Sequence, residues 1–353
     1  MPGAASESAS MTLEIDGRPV GAGHPAFVIA EIGSNHNGEL ELAYELIDAA
    51  ASAGVDAVKF QTFRAEDHYS KHTPGFSYLQ NTDTFSLIES LEIDRSWHAL
   101  LMKRCADAGV TFLSSPCDAD AIDELTELGM AAYKIASFDL PDADLIGHAA
   151  RAGKPMILST GMADWDDILT GVTACRAEDN DQIVLLQCTS LYPAPPHLSN
   201  LRAMSAMSSA FGTVAGYSDH TEGDHIALAA VAMGASVIEK HFTLDRQMKG
   251  PDHPFAIEPA ELASMMARLR DIEAAAGDGR KEGPRSEEKE MFEKGRRSLH
   301  ASRKIAKGET VTRDMLTVKR PGLGLPPALR DVVVGRTAKV DIEADHWITW
   351  DMI

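Results

Sequence analysis

From residue 27 onward the chain repeats one pattern. A short apolar, β-branched run ends in polar residues. A stretch with Ala and Leu at helical spacing follows, often closing in Ala-Gly or Leu-Gly, and then the next apolar run begins. These runs predict strands over 27–33, 57–61, 111–116, 132–137, 155–160, 183–189, 213–219 and 237–243, and helices over 40–53, 96–108 and 258–276 among those that connect them. Eight strands alternating with helices over 27–276 match a (β/α)8 barrel, which takes about 250 residues. A doubly wound open sheet is the alternative, but no G-x-G-x-x-G follows the first strand.

Three stretches depart from the pattern. Residues 12–20 (TLEIDGRPV) read as a hairpin turning on Asp16 and Gly17, able to cover one end of the barrel. Residues 62–95 are too long for a plain loop and carry Tyr69, His72, Phe76, Tyr78 and Asn81. They leave the second strand at its C-terminal end, so they either fold over the mouth or pack their aromatics onto the barrel. Beyond 276 the character changes. Residues 277–297 are charged and Gly-punctuated, a linker with a short helix, and 298–353 form a small, mostly β domain with strands over 298–301, 317–320, 336–340 and 347–349. The expected division is therefore 1–26 tail and capping hairpin, 27–276 barrel, 277–297 linker and 298–353 second domain. At that size the second domain leans on the barrel or on another subunit.

Charge and composition narrow the function. A formal net charge of −20 argues against nucleic-acid binding, which needs a basic footprint. It also requires local positive charge wherever an anion is bound. No apolar run approaches the roughly 20 residues of a membrane helix. The start, MPGAASESAS, lacks a basic stretch followed by an apolar core, and is expected to be a frayed tail rather than a secretory signal. Cys105, Cys117, Cys175 and Cys188 show no C-x-x-C spacing and are expected as reduced thiols in a cytoplasmic protein.

In a barrel enzyme the site is built at the C-terminal strand ends. Those ends supply Glu31 with Asn35 and His36, Lys59 and Gln61, Ser114 and Ser115, Lys134 and Ser137, Ser159 and Thr160, Gln187 with Ser190 and Tyr192, Ser218 with Asp219 and His220, and Glu239 with His241. Lys59 and Lys134 sit inside apolar strands, where an unpaired ammonium is costly. Each has a buried counter-ion, receives an anionic ligand, or serves as a Schiff-base amine. His220 and His241 fall on the last two strands and so on one rim. They suit a divalent metal with open positions, or an acid/base pair; one buried and one solvated histidine is the bland alternative. Glu239 and Asp252 are placed to complete or orient that shell. His253 is expected near the rim, and His24, His68, His98, His148, His197, His225, His300 and His346 are read as structural or solvated.

Together the strand ends resemble the sialic acid (N-acetylneuraminate) synthase family. The carrying segments are AEIGSNHNG (30–38), VKFQTF (58–63), YKIAS (133–137), ILSTGM (157–162), QCTSLYP (187–193), GYSDHTEG (216–223), VIEKHFTLD (237–245) and KGPDHPFAIEP (249–259). VKRPGLGL (318–325) is similar to that family's antifreeze-like (SAF) domain. The resemblance implies a (β/α)8 barrel plus SAF domain that condenses phosphoenolpyruvate with N-acetylmannosamine or a related acetamido sugar. The products are a nine-carbon 2-keto sugar acid and phosphate. It implies a divalent ion, Mn2+ or Mg2+, on His220 and His241, and phosphate binding by Lys134 with Ser137 and Ser159. Carboxylate binding falls to Lys59 with Ser218, helped by Ser115 and Ser190, and acid/base or positioning work to Glu31. Gln61, Tyr192 and Asp252 match sugar-contacting positions. Arg320 matches an arginine that reaches the partner's site in a domain-swapped homodimer.

Two departures stand out. Ser190 replaces the Asn many members carry, which implies a different carboxylate grip, and Gly-Leu-Gly-Leu at 322–325 replaces a more polar run, so the sugar is not specified. No extra basic cluster is present for a second sugar phosphate. Rival readings are a synthase making a seven- or eight-carbon keto acid, a Schiff-base aldolase on Lys134, and a non-enzymatic carbohydrate- or ice-binding protein.

Overall fold

A computed structural model describes residues 11–76 and 83–353. The expected tail over 1–10, and Tyr78 and Asn81 of the long insertion, lie outside the described residues. The chain divides into two compact units, 1–277 and 278–353.

In the first unit, eight parallel strands close into a barrel. They are β3 (Phe27–Gly33), β4 (Ala57–Thr62), β5 (Thr111–Pro116), β6 (Tyr133–Ile135), β7 (Met156–Ser159), β8 (Ile183–Cys188), β9 (Val214–Asp219) and β10 (Val237–His241), with β10 paired back to β3. Every residue of β3, β5, β6, β7 and β10 is buried, as parallel strands covered on both faces require. The fourth predicted strand contracts from 132–137 to Tyr133–Ile135, because the chain turns at Ala136 to carry Ser137 over the mouth.

Helices alternate with the strands. They are α1 (Leu40–Ser52), α2 (Ala65–His68) and α3 (Thr84–Ser90) within the long insertion, α4 (His98–Ala108), α5 (Ala119–Glu127), α6 (Ala143–Ala150), α7 (Trp165–Ala177), α8 (Arg202–Phe211), α9 (His225–Ala232) and α10 (Pro259–Ala276). Their ends follow local chemistry. Asp118, Asp142 and Asp164 cap α5, α6 and α7 by accepting backbone N–H groups, and Pro259 opens α10. Gly109 closes α4 in the left-handed region.

Alternation along each strand separates two cores. Val28, Val58, Phe60, Phe112, Tyr133, Leu158, Leu185 and Ile238 face the helices. Phe27, Ile29, Ala57, Leu113, Ala132, Ile157, Val184, Leu186, Val214 and Val237 fill the barrel. The hairpin β1 (Thr12–Ile15) and β2 (Arg18–Gly21) adds Leu13, Ile15 and Val20 to that inner core, so it plugs the barrel at the floor. Arg18, which opens β2, pairs with buried Asp56 at 2.5 Å. Ile15 is fully buried, and Ile15→Ala is expected to lower the unfolding free energy by about 2–5 kcal/mol. Urea denaturation of the full chain checks this; an unchanged midpoint would show that the plug is dispensable.

The second unit holds β11 (Ser298–Ala301) antiparallel to β12 (Leu316–Lys319), around a core of Leu299, Ile305, Val311, Met315, Ile342 and Ile348. The strands expected over 336–340 and 347–349 reduce to single bridges, Thr310 with Thr337 and His300 with Trp347. Residues 286–295 form one 3-10 turn and one π turn rather than a regular helix.

Candidate active site

The same two-residue period that fills the barrel floor with apolar side chains aims polar ones at its mouth. Glu31 follows Phe27 and Ile29; Lys59 and Gln61 follow Ala57; Ser115 follows Leu113; Lys134 follows Ala132; Ser159 follows Ile157. Ser218 follows Val214, and Glu239 and His241 follow Val237. Polar neighbours of the opposite parity point outward and are tied off. Ser114 Oγ lies 2.8 Å from Thr62 Oγ1, Thr160 Oγ1 donates to Leu186 O, and Lys240 pairs with Asp219 at 2.9 Å.

These ends surround one cavity of about 170 Å³. Of the predicted site residues, Glu31, Lys59, Gln61, Ser115, Lys134, Ser137, Ser159, Tyr192, Ser218, His220, His241 and Asp252 all line it. Ser190 does not. It sits behind Gly161, with its Oγ buried and without a hydrogen-bond partner. Arg320 belongs to the second unit, exposed just after β12, where its Nε donates to Gly295 O.

Both lysines have buried counter-ions. Lys59 Nζ lies 2.7 Å from Glu31 Oε2 and 3.7 Å from Glu239 Oε2, and donates to Ser115 Oγ at 3.1 Å. Lys134 Nζ lies 3.4 Å from Glu239 Oε1, which also accepts from Ser218 Oγ at 2.9 Å. Burial favours neutral forms throughout this cluster. For Glu239 burial is overcome by Lys134 and Lys59, and its carboxyl is held at about 2. For Glu31 burial wins and, with Glu239 nearby, raises the carboxyl above its ordinary value despite Lys59. Lys134 is lowered by burial and by Lys59, so it is the less compensated cation. Glu239, placed by sequence reasoning in the metal shell, instead stands between the two lysines. Its parity with Val237 and His241 marks it as inward-facing, but only closure of the barrel brings Lys134 to it.

Glu31 is held from two sides, since Gln61 Nε2 donates to its Oε1 at 2.7 Å. The strand register shifts between Glu31 and Gly33, a bulge that turns the chain at the mouth. Gly33 has φ +55°, and a Cβ there would crowd Gln61 Nε2 and Glu31 Oε1 at 3.2 Å, so a side chain would be strained and would push on both groups.

His220 and His241 stand with ring centroids 5.3 Å apart, and Tyr192 packs on His220 at 4.4 Å. His220 Nδ1 lies 2.8 Å from Thr189 O, which places its N–H there and leaves Nε2 as the lone-pair nitrogen. His241 is kept neutral by burial and by His220 and Lys59, and its buried Nδ1 has no hydrogen-bond partner. Asp252 Oδ2 is 3.5 Å from that nitrogen. Burial and the nearby Glu31 push the Asp252 carboxyl up to about 6. A buried imidazole with an orphaned nitrogen, a second imidazole beside it and a carboxyl 3.5 Å away are donors that fit a divalent ion.

Other expectations are corrected. His36 turns into the helix layer against Phe60 and Trp97, accepts from Gly38 N at Nδ1, and is lowered to about 4 by burial. Asn35 donates to Phe242 O. His253 is not at the rim; it is fully buried between Thr243 and Asn37. His68, read as structural or solvated, lines the cavity with Cys117 and Asp139. The insertion does reach the mouth, where Tyr69, Leu87, Ile88 and Leu91 join the lining.

A closed parallel barrel with two buried lysines, carboxylates, hydroxyls and a histidine pair at its C-terminal mouth is the architecture of an enzyme. The chain belongs to the NeuB family: the family profile matches residues 46–281, and a SAF domain profile matches 296–353. It is accordingly a transferase of the NeuB type. The N,N'-diacetyllegionaminic acid synthase of Campylobacter jejuni is 40% identical over 91% of this chain and 98% of that protein. The N-acetylneuraminate-9-phosphate synthase of Homo sapiens is 35% identical over 97% of this chain and 98% of that protein. The crystal structure of the N-acetylneuraminic acid synthetase of Leptospira borgpetersenii in complex with citrate is 34% identical, with a TM-score of 0.72, covering 80% of this chain and 96% of that one.

Proposed function

We propose that the chain condenses phosphoenolpyruvate with the open-chain aldehyde of an acetamido-hexose, N-acetylmannosamine or a related sugar. The products are a nine-carbon 2-keto sugar acid and phosphate, with C–O cleavage. The observation that carries this reading is one cavity that gathers Lys59, Lys134, Ser115, Ser137, Ser159 and Ser218 with Glu31, His220, His241 and Asp252. The names of the similar synthases point the same way.

In this reading Lys134 with Ser137 and Ser159 receives the phosphate, and Ser159 Oγ, buried without a partner, is a donor in waiting. Lys59, Ser115 and Ser218 receive the carboxylate. Glu239 pairs with both lysines and fixes them before the anion arrives, so little reorganisation is needed when it does. His220 and His241 would hold the divalent ion, Mn2+ or Mg2+, whose contribution is Lewis-acid polarisation of the aldehyde oxygen. Gln61 and Tyr192 flank the sugar. Glu31 positions the water that adds at C2 of the condensed intermediate and takes its proton, after which the tetrahedral centre expels phosphate. We assign catalysis to the barrel over 27–276 and, through the linker 277–297, a covering role to the SAF domain over 298–353. That domain's Arg320 would complete the site of a second copy in a cytoplasmic homodimer. Among the described residues no helix is long and apolar enough to cross a membrane.

Among the described lining residues the only lysines or arginines are Lys59 and Lys134, and Phe63, Leu87, Ile88 and Leu91 make one side apolar. This favours an uncharged acceptor. With phosphoenolpyruvate and Mn2+, N-acetylmannosamine or a diacetamido-trideoxyhexose is expected to release phosphate at least about tenfold faster than the 6-phosphorylated sugar, whose extra charge would meet no further cation among the described lining residues. Product mass identifies the acid. No phosphate release with any of the three sugars would overturn the reading, and chromatographic sizing tests the dimer.

A further inference from the structure

We propose that His68, Cys117 and Asp139 form a second metal site, distinct from the histidine pair, that takes a zinc-class divalent ion. The inference goes beyond the proposed reaction and does not depend on it. The three residues come from different elements: His68 ends α2 in the insertion, Cys117 directly follows β5, and Asp139 follows β6. One ligand atom from each lies within 4.8 Å of the others. His68 Nδ1 is 3.9 Å from Asp139 Oδ1, and Cys117 Sγ is 3.8 Å from Asp139 Oδ2. Metal–ligand bonds of about 2.0–2.3 Å at tetrahedral angles put ligand atoms roughly 3.3–3.8 Å apart. A contraction of a few tenths of an ångström to about one ångström would therefore close the shell.

The place in the barrel separates this site from the other. In the closed order β10-β3-β4-β5-β6-β7-β8-β9, β5 and β6 stand opposite β9 and β10, which carry the histidine pair. Both groups line the same cavity as Lys59 and Lys134. Phe63 and Tyr69 flank the His68 ring at 6.1 and 4.9 Å and hold it in place. Burial pushes the Cys117 thiol and the Asp139 carboxyl up, the form an anionic ligand pair takes when no cation is there to compensate it. One thiolate, one imidazole and one carboxylate suit Zn2+ or Co2+ and disfavour Mg2+. Three protein ligands leave a fourth position, the pattern of an open site. The ion would tie the insertion to the rim at β5 and β6, fixing the wall that Leu87, Ile88 and Leu91 contribute.

Cobalt is the probe, because a thiolate bound to Co2+ gives a near-ultraviolet charge-transfer absorption that imidazole and carboxylate ligands do not. Metal-stripped full-length protein titrated with Co2+ is expected to develop this band, saturating at one equivalent per chain, and Zn2+ but not Mg2+ is expected to abolish it. Cys117→Ser is expected to remove the band, and His68→Ala to weaken Co2+ binding at this site more than tenfold. The band is expected to persist in Cys188→Ser and in His241→Ala. No band in the parent protein, survival of the band in Cys117→Ser, or its loss in Cys188→Ser would each overturn the proposal. The band reports only a sulfur-bound ion, so it succeeds or fails independently of phosphate release; circular dichroism confirms that each variant is folded.

Discussion

Lys134→Met is expected to lower kcat/KM for phosphoenolpyruvate by about 10³ or more and the unfolding free energy by about 3 kcal/mol. The first effect follows from removing the point charge assigned to the phosphate in a cavity where Ser137 and Ser159 supply only neutral donors. The second follows from the buried cluster. Lys59 and Lys134 face Glu31 and Glu239, two cations and two carboxylates with side chains almost wholly buried. With one cation gone, Glu239 loses its nearer compensation and one carboxylate is left unpaired. Adding Glu239→Gln removes the surplus charge, so the double variant Lys134→Met/Glu239→Gln is expected to recover most of the lost stability while staying inactive. Urea denaturation and steady-state kinetics on the two variants separate the effects. Parental turnover in Lys134→Met would remove its phosphate role, and a double variant no more stable than the single would remove the counter-ion account.

The same cluster sets an acid response. The Glu239 carboxyl is held at about 2 against an ordinary 4.5. A carboxyl depressed in the folded state stabilises it fully above the unfolded value, and that contribution is lost as pH falls from there toward 2. In Lys134→Met the carboxyl rises, so the acid-unfolding midpoint is expected to move to higher pH.

Glu31→Gln is the second large effect. Gln keeps the shape and can still accept from Gln61 Nε2, and Lys59 retains Glu239 and Ser115. The fold is therefore expected to survive, with a melting temperature close to the parent. Turnover is expected to fall by about 10²–10⁴, the range for losing a positioned acid/base group, with little change in KM for phosphoenolpyruvate, whose anionic groups are held elsewhere. Burial, helped by Glu239 and opposed by Lys59, raises the Glu31 carboxyl above its ordinary value and makes it a stronger base than an exposed carboxylate. Full activity in this variant would exclude Glu31 from the chemistry. A large rise in KM at constant kcat would make it a binding residue instead.

Most of the barrel was legible because its signal is local. Apolar runs of strand length, separated by helical spacing and closed by Ala-Gly or Leu-Gly, located the eight strands, and the polar residue at each run's end located the mouth. Asp16 and Gly17 announced the hairpin. The errors came where local pattern has no power. The C-terminal strands over 336–340 and 347–349 have strand-like composition, but each makes a single bridge rather than a ladder. His36 and His253 carry the same chemistry as His220 and His241, and only packing shows that the first two are spent on Gly38, Thr243 and Asn37.

By itself the sequence determined the period: which residues alternate with the apolar floor, and hence that Glu31, Lys59, Lys134, Ser159, Ser218 and His241 share one interior. Parity along a strand is a property of the backbone and needs no partner. Tertiary structure alone decided which of these meet. That Glu239 on β10 stands between Lys59 on β4 and Lys134 on β6 depends on a barrel closing between β10 and β3. That His68, Cys117 and Asp139 converge depends on an insertion folding back over β5 and β6. Charge and metal-ligand chemistry act through distance, and distances between residues far apart in sequence exist only once the sheet has closed.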